Sequence, residues 1–272
     1  MDTYEEKNVM KRMLKYQKSD RDLFIDLAKN DFKSKYASSI WGIGWAYIQP
    51  LMNLLVMWYV FQIGLKSGNV DEVPFIVWFA PASLVWTFFS ESISSTAMCM
   101  KEYNYLVSKV NFNIQTIPLV KIASGCFVHL AFIIFLLFLN FIYNINFSIY
   151  NIQILYYFLC LVVHLIGLGW IVSIITPFLP DMQSIVSVIL QIGFWATPIV
   201  WNASDMSPIV HALSKLNPMY YICTGYRESL IGQVWFWEHW DTTLYYWAIN
   251  ILLLIFGSRI FKKLRTQIAD VL

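Results

Sequence analysis

Six stretches of this chain are each long and apolar enough to form a helix that crosses a bilayer, and they decide what the chain can fold into. They lie near residues 40–65, 74–94, 119–143, 154–179, 185–201 and 243–260. A helix needs about 20 predominantly apolar residues to cross about 30 Å of hydrocarbon. The third stretch is the clearest, with an unbroken apolar block from Ala131 to Leu139. The first contains Pro50, and the fifth is short and broken by Gly193 and Pro198. The strands of a barrel would be half this length and would alternate in polarity. The reading is an all-α integral membrane protein with six transmembrane helices. Composition agrees: 58% of the 272 residues are hydrophobic and 13% charged, against roughly 25% charged in a soluble domain. A disordered chain, a collagen, a disulfide miniprotein and a typical soluble enzyme are excluded.

The sparse charge is sorted along the chain. Lys7, Lys11, Arg12, Lys15, Lys18, Arg21, Lys29, Lys33 and Lys35 precede the first stretch. Lys101, Lys109 and Lys121 lie between or beside the second and third, and Arg259, Lys262, Lys263 and Arg265 follow the sixth. Only Lys66, Lys215 and Arg227 fall in the alternate connections. Cytoplasmic loops carry the excess of Lys and Arg, so both termini are expected in the cytoplasm. The domain layout is then a cytoplasmic N-terminus over 1–39, a transmembrane domain over 40–265 and a cytoplasmic tail over 266–272. No cleavable signal is expected, because the first residues are polar and lack an apolar core. A net charge of +2 leaves no nucleic-acid footprint.

Three segments outside the spans have character of their own. Ser19 and Asp20 are candidate caps for an amphipathic interfacial helix over about 20–38. Phe24, Ala28, Phe32 and Tyr36 line one face, while Asp22, Asp26, Lys29, Asn30 and Lys33 take the other, the pattern of a helix lying in a membrane interface. It is either a plain anchor or a gate beside the first span. Residues 98–118 mix Lys101, Glu102, Tyr103, Asn104 and Lys109 with Val110, Phe112 and Ile114, which fits a short helix parallel to the membrane or a solvated connector. Residues 202–241 are punctuated by Pro208, Asn217-Pro218, Gly225 and Gly232 yet remain aromatic. Such a segment is expected either to dip into the outer leaflet, where protein or a water-filled cavity covers it, or to cap a cavity.

No phosphate-binding loop, HExxH, GxSxG or GxGxxG pattern occurs, so no catalytic residue and no metal site is assigned. Cys99, Cys126, Cys160 and Cys223 form no CxxC pair. His129 and His164 fall midway along the third and fourth spans, as a proton relay or as neutral residues bonded between helices. Asn53, Gln62, Asn140, Gln191 and Asn250 read as hydrogen-bonding glue between helices. The chain holds 12 Trp, 16 Tyr and 20 Phe. Tryptophans at span ends usually form an interfacial belt; a stacked lining on which sugar rings could slide is the competing reading.

Four motifs carry a family resemblance. They are Lys35-Tyr36-Ala37-Ser38-Ser39-Ile40-Trp41-Gly42-Ile43-Gly44-Trp45 with Gln49-Pro50; Asn104-Tyr105-Leu106-Val107-Ser108-Lys109-Val110-Asn111-Phe112 with Ile117-Pro118; Gln191-Ile192-Gly193-Phe194-Trp195-Ala196-Thr197-Pro198-Ile199-Val200; and Asn217-Pro218-Met219-Tyr220 with Arg227. In order and spacing the chain resembles the permease subunit of an ABC-2-type exporter, in the branch that exports O-antigen polysaccharides and teichoic acids. It departs from that pattern at Asn113, where the family usually has Pro, and at Pro180 before Asp181, where it usually has Arg. The resemblance implies a multi-pass protein of a bacterial cell membrane. It implies a homodimer with two ATPase subunits, a lipid-linked glycan as substrate, no cofactor in this chain, and ATP with Mg on the partner. It implies a substrate channel involving Tyr36, Trp41, Trp45, Tyr47, Gln49, Trp195, Thr197 and Trp201. Lys29, Lys33 and Lys35 would meet the lipid head at the entrance or simply form a solvated positive face, and Asn217, Tyr220, Tyr221 and Arg227 would form an outer gate. Glu102, Tyr103, Asn104, Lys109 and Asp181 would couple to the ATPase. An ABC-2 exporter of lipids or drugs, and a polytopic glycan-processing enzyme, are the other readings.

Overall fold

The computed structural model describes residues 21–37, 39–66, 68–70, 73–107 and 113–268. Ser19, Asp20, Lys109, the basic residues before Arg21 and the end of the tail lie outside the described residues. The described residues form helices and turns, with one isolated bridge between Val70 and Val73 and no strand. Among the described residues, five helices have the length and apolar character to cross a membrane.

Helix α1 spans 21–35. After a 3₁₀ turn come α2 (Trp45–Trp58), which continues as a π-helix to Gly64, and α3 (Phe75–Glu102). The short α4 (Asn104–Val107) precedes α5 (Thr116–Ile142) and α6 (Gln153–Ile175). Then follow α7 (Met182–Ala196), α8 (Pro208–Lys215), α9 (Pro218–Arg227) and α10 (Trp240–Leu264). Pro50 and Pro81 lie inside α2 and α3, whereas two other prolines sit where they cost least. Pro208 and Pro218 occupy first turns, where the missing N–H has no helical partner anyway. Asn217 caps α9 by accepting the Met219 N–H at 3.0 Å.

The central element is α3, buried from Phe75 to Ala82 with scarcely a break. It runs eight residues beyond the expected end near 94, to Glu102. Residues 95–102 look polar in sequence, but Thr96, Cys99 and Met100 are buried there. Cys99 and Met100 join Ile117, Ile174, Phe261 and Ile268 in a second core cluster at the end of the bundle beside α1. Much of the aromatic surplus is consumed inside the bundle. Phe75 stacks on Phe79 at 5.3 Å, Phe88 on His129 at 4.6 Å, and Tyr221 on Tyr246 at 4.7 Å.

Helix α7 corrects one expectation. Gly193 does not interrupt it; the helix runs through Gly193 and ends at Ala196. A Cβ at Gly193 would stand 2.8 Å from the Trp86 indole of α3, so this glycine permits a close crossing. The break comes from Pro198, which biases Thr197 to its extended backbone.

Candidate functional site

A groove of about 490 Å³ runs between α2, α3 and α7. Gln49 and Asn53 enter from α2, Trp86, Thr87, Ser90 and Glu91 from α3, and Gln191 and Trp195 from α7. Spacing explains the grouping: Gln49 and Asn53, four residues apart, share a face of α2, as Thr87 and Glu91 do on α3. Asn53 and Gln191, expected to tie helices together, are instead exposed into this groove. Trp195 is 54% exposed. Polar side chains at membrane depth are costly against lipid and face a cavity, a substrate or another protein surface. Asn140 and Asn250 do act as glue. Asn140 donates to the Leu230 carbonyl at 2.9 Å, and Asn250 accepts from His164 at 3.0 Å.

The structure brings only part of the expected channel set together. Gln49 and Trp195 share the groove. Trp41 and Trp45 are exposed at the start of α2, edge to face at 6.5 Å. Tyr47 turns away and packs on Phe132 of α5 at 6.1 Å. Tyr36 packs on Phe32 at the end of α1. Thr197 is fully buried: its hydroxyl donates to the Gly193 carbonyl at 2.7 Å and accepts from Asn217 at 2.8 Å. Trp201 donates to the Trp195 carbonyl at 3.0 Å, closing the end of α7.

The outer set is largely a brace. Tyr221 is buried, with its hydroxyl 3.0 Å from those of Tyr156 and Thr243. Arg227 donates through Nε to Trp78, through one terminal nitrogen to Pro198 and through the other to Ile199, at 3.0, 2.7 and 2.7 Å. Its guanidinium lies 3.6 Å from the Trp78 ring centroid. Tyr220 lines two neighbouring cavities with Thr224 and Glu228, joined by Arg227 in one and by Tyr221 in the other. Burial pushes the Glu228 carboxyl above its ordinary range, while His239, 2.9 Å away, opposes that shift.

At the opposite end, α1 docks on α3 and α5. Asp31 is 6% exposed and accepts from Lys121 at 2.6 Å and from Tyr103 at 2.8 Å. Lys121 also pairs with Glu102 at 2.5 Å. Burial first, and then the bond to Asp31, hold the Tyr103 phenol well above its ordinary value, so it stays a donor. Removing one partner of so buried a pair costs about 3–5 kcal/mol, whereas an exposed pair contributes about 0–1. Lys35–Glu91, at 3.7 Å and partly exposed, is of the second kind. Lys29 and Lys33 are exposed on α1, Asn104 on α4 and Asp181 before α7. Sequence reasoning missed Asp31. Its one signal was an acid three residues after Ala28, on the apolar side of an amphipathic helix.

His129 bonds Tyr226 at 2.9 Å and His164 bonds Asn250, with no carboxylate at either ring. Both are interhelical ties. No group of three or more His, Cys, Asp or Glu side chains converges among the described residues.

The ABC-2 type transporter family model matches residues 23–231, from α1 through the turn after α9. The chain belongs to the ABC-2 type transporter family. Within that family it is similar to the O-antigen export system permease protein RfbA of Myxococcus xanthus, 25% identical over 92% of this chain and 95% of that one. It is equally similar to a protein of the same name from Klebsiella pneumoniae, 25% identical over the same shares. An ABC-2 transporter with five apolar helices of spanning length is a multi-pass membrane protein, and its relatives are transport subunits.

Proposed function

We propose that this chain is the permease subunit of an exporter that moves a lipid-linked polysaccharide, of the O-antigen or teichoic acid class, from the cytoplasm to the outer face of a bacterial cell membrane. The observation that carries the reading is the groove between α2, α3 and α7. It combines amides, hydroxyls and one carboxylate with two tryptophans at membrane depth. Sugars present hydroxyls at their edges and apolar ring faces, which such a lining meets with amides and indoles. The names of the relatives point the same way. In this reading α7 is a sixth, short span, α9 re-enters from outside, and both termini face the cytoplasm, as the bias of Lys and Arg supports. A second copy of the chain closes the open side of the groove. ATP with Mg binds a separate ATPase, which pushes on residues 98–118 and the turn at Asp181. Lys29, Lys33 and Lys35 sit where a lipid pyrophosphate would approach α1.

Purification tests the partnership: the chain is expected to bring down a separate ATPase carrying a phosphate-binding loop. An active complex with no nucleotide-binding chain would contradict the reading. Trp195→Ala is expected to lower surface glycan about two- to tenfold, the worth of one aromatic contact. Normal surface glycan would remove the stacking role. An ABC-2 exporter of lipids or drugs is the second reading, favoured by an apolar cavity of about 310 Å³ between α3, α6 and α7. A lipid substrate would leave export insensitive to Trp195→Ala.

A further inference from the structure

The connection between α3 and α5 is held at both ends. Tyr103 stands immediately before α4, and its hydroxyl donates to Asp31 of α1. Lys121 lies in the second turn of α5 and donates to the same Asp31 oxygen. At the other end of the connection, the Gln115 carbonyl accepts the Trp170 indole N–H of α6 at 3.2 Å. One carboxylate oxygen on α1 thus collects two donors that flank the connection from either side. Lys121 lies 5.1 Å over the Tyr103 ring as well, so the two donors move as one body. Helix α1 has a second polar link to the bundle in Lys35–Glu91, but that pair is partly exposed and weakly binding.

A displacement of the described ends of the connection, 104–107 and 113–115, acts on Tyr103 beside α4 and on the first turns of α5 that hold Lys121. The buried bonds to Asp31 are short, and leaving them broken is costly, so α1 must follow. We propose that Asp31 is the positioning residue that makes the interfacial helix move with the 104–115 connection. Force applied to that connection is thereby converted into movement of the helix beside which a lipid-linked substrate would enter. The inference rests on the reading of this connection as the ATPase contact. Asp31 is then the physical element that joins the stroke to the entrance.

The test uses the complete complex with its ATPase in lipid nanodiscs. A bimane fluorophore on Leu23→Cys, on the exposed side of α1, reports the surroundings of the helix. Addition of a non-hydrolysable ATP analogue is expected to shift its emission in the parent. Asp31→Asn should keep ATP hydrolysis within about twofold and shrink the emission shift about fivefold or more. Asp31→Glu should restore most of the shift. Asp31→Leu combined with Lys121→Met guards against a folding artefact, because replacing a buried ion pair by apolar residues is often neutral for stability. This double variant should be as uncoupled as Asp31→Asn. A full shift in either uncoupled variant, or a parent that hydrolyses ATP with no shift, overturns the linkage and leaves the proposed function standing. A chain that assembles with no ATPase overturns both.

Discussion

Arg227→Leu is expected to lower the midpoint of thermal unfolding by as much as breaking the buried Asp31–Lys121 pair. The guanidinium fork holds together three parts of the chain that are far apart in sequence: α3 at Trp78, the segment after α7 at Pro198 and Ile199, and α9 itself. Leucine would leave the Pro198 and Ile199 carbonyls without this donor and would remove the cation from the Trp78 ring. An orphaned buried carbonyl costs about 1–3 kcal/mol, and a desolvated cation–π contact about 2 kcal/mol. The expected loss is about 3–5 kcal/mol, allowing for partial rescue by water. Lysine should recover only part of it, since a point charge cannot serve three acceptors in a plane. The measurement is thermal unfolding in detergent for the parent, Arg227→Lys and Arg227→Leu. Equal midpoints would show that these bonds do not brace the fold and would leave Arg227 to the outer-gate role that the resemblance implies.

Gly225→Ala is the second large effect. A Cβ at this position would lie 2.1 Å from two atoms of the Tyr157 ring. Tyr157 is 1% exposed and packed against Tyr156 and Tyr221, so the ring has nowhere to turn. Overpacking a filled core costs about 1–3 kcal/mol, and an approach this short belongs at the upper end or beyond. The variant is expected to yield little folded protein. Tyr157→Leu in the same chain should restore much of it by vacating the ring's space. Failure of that rescue, or wild-type yield of Gly225→Ala alone, would contradict this packing of α9 on α6.

Five spans were legible because lipid demands long apolar runs, and five of the six runs read in the sequence are helices of spanning length, while the run at 185–201 gives the shorter α7. Their ends were less so. The last two turns of α3 read as loop because Ser94, Ser95 and Thr96 are polar, yet Thr96 turns its hydroxyl back on the helix carbonyls of Ser92 and Ile93 and packs inside. The site was legible in its chemistry and illegible in its directions. Gln49 and Trp195 meet in one groove, but Tyr47, on the same helix as Gln49, points to α5. Thr197 and Tyr221 carry the polar groups a lining needs and spend them on partners inside the bundle. No local pattern reveals that the acceptors of Arg227 lie 149, 29 and 28 residues away. Asp31 was hidden for the same reason: an acid on an apolar stripe is legible only once Lys121 and Tyr103 are known to face it.

The central claim is that this chain carries a lipid-linked glycan across the membrane. It is tested most directly by depleting the protein in its host and locating that glycan. Surface glycan and the cytoplasmic-facing lipid-linked intermediate are measured together, with and without re-expression. Loss of surface glycan and accumulation of the complete lipid-linked polymer on the cytoplasmic side are expected, both reversed by the wild-type chain. Unchanged surface glycan, or loss of the polymer without accumulation of the intermediate, would contradict it.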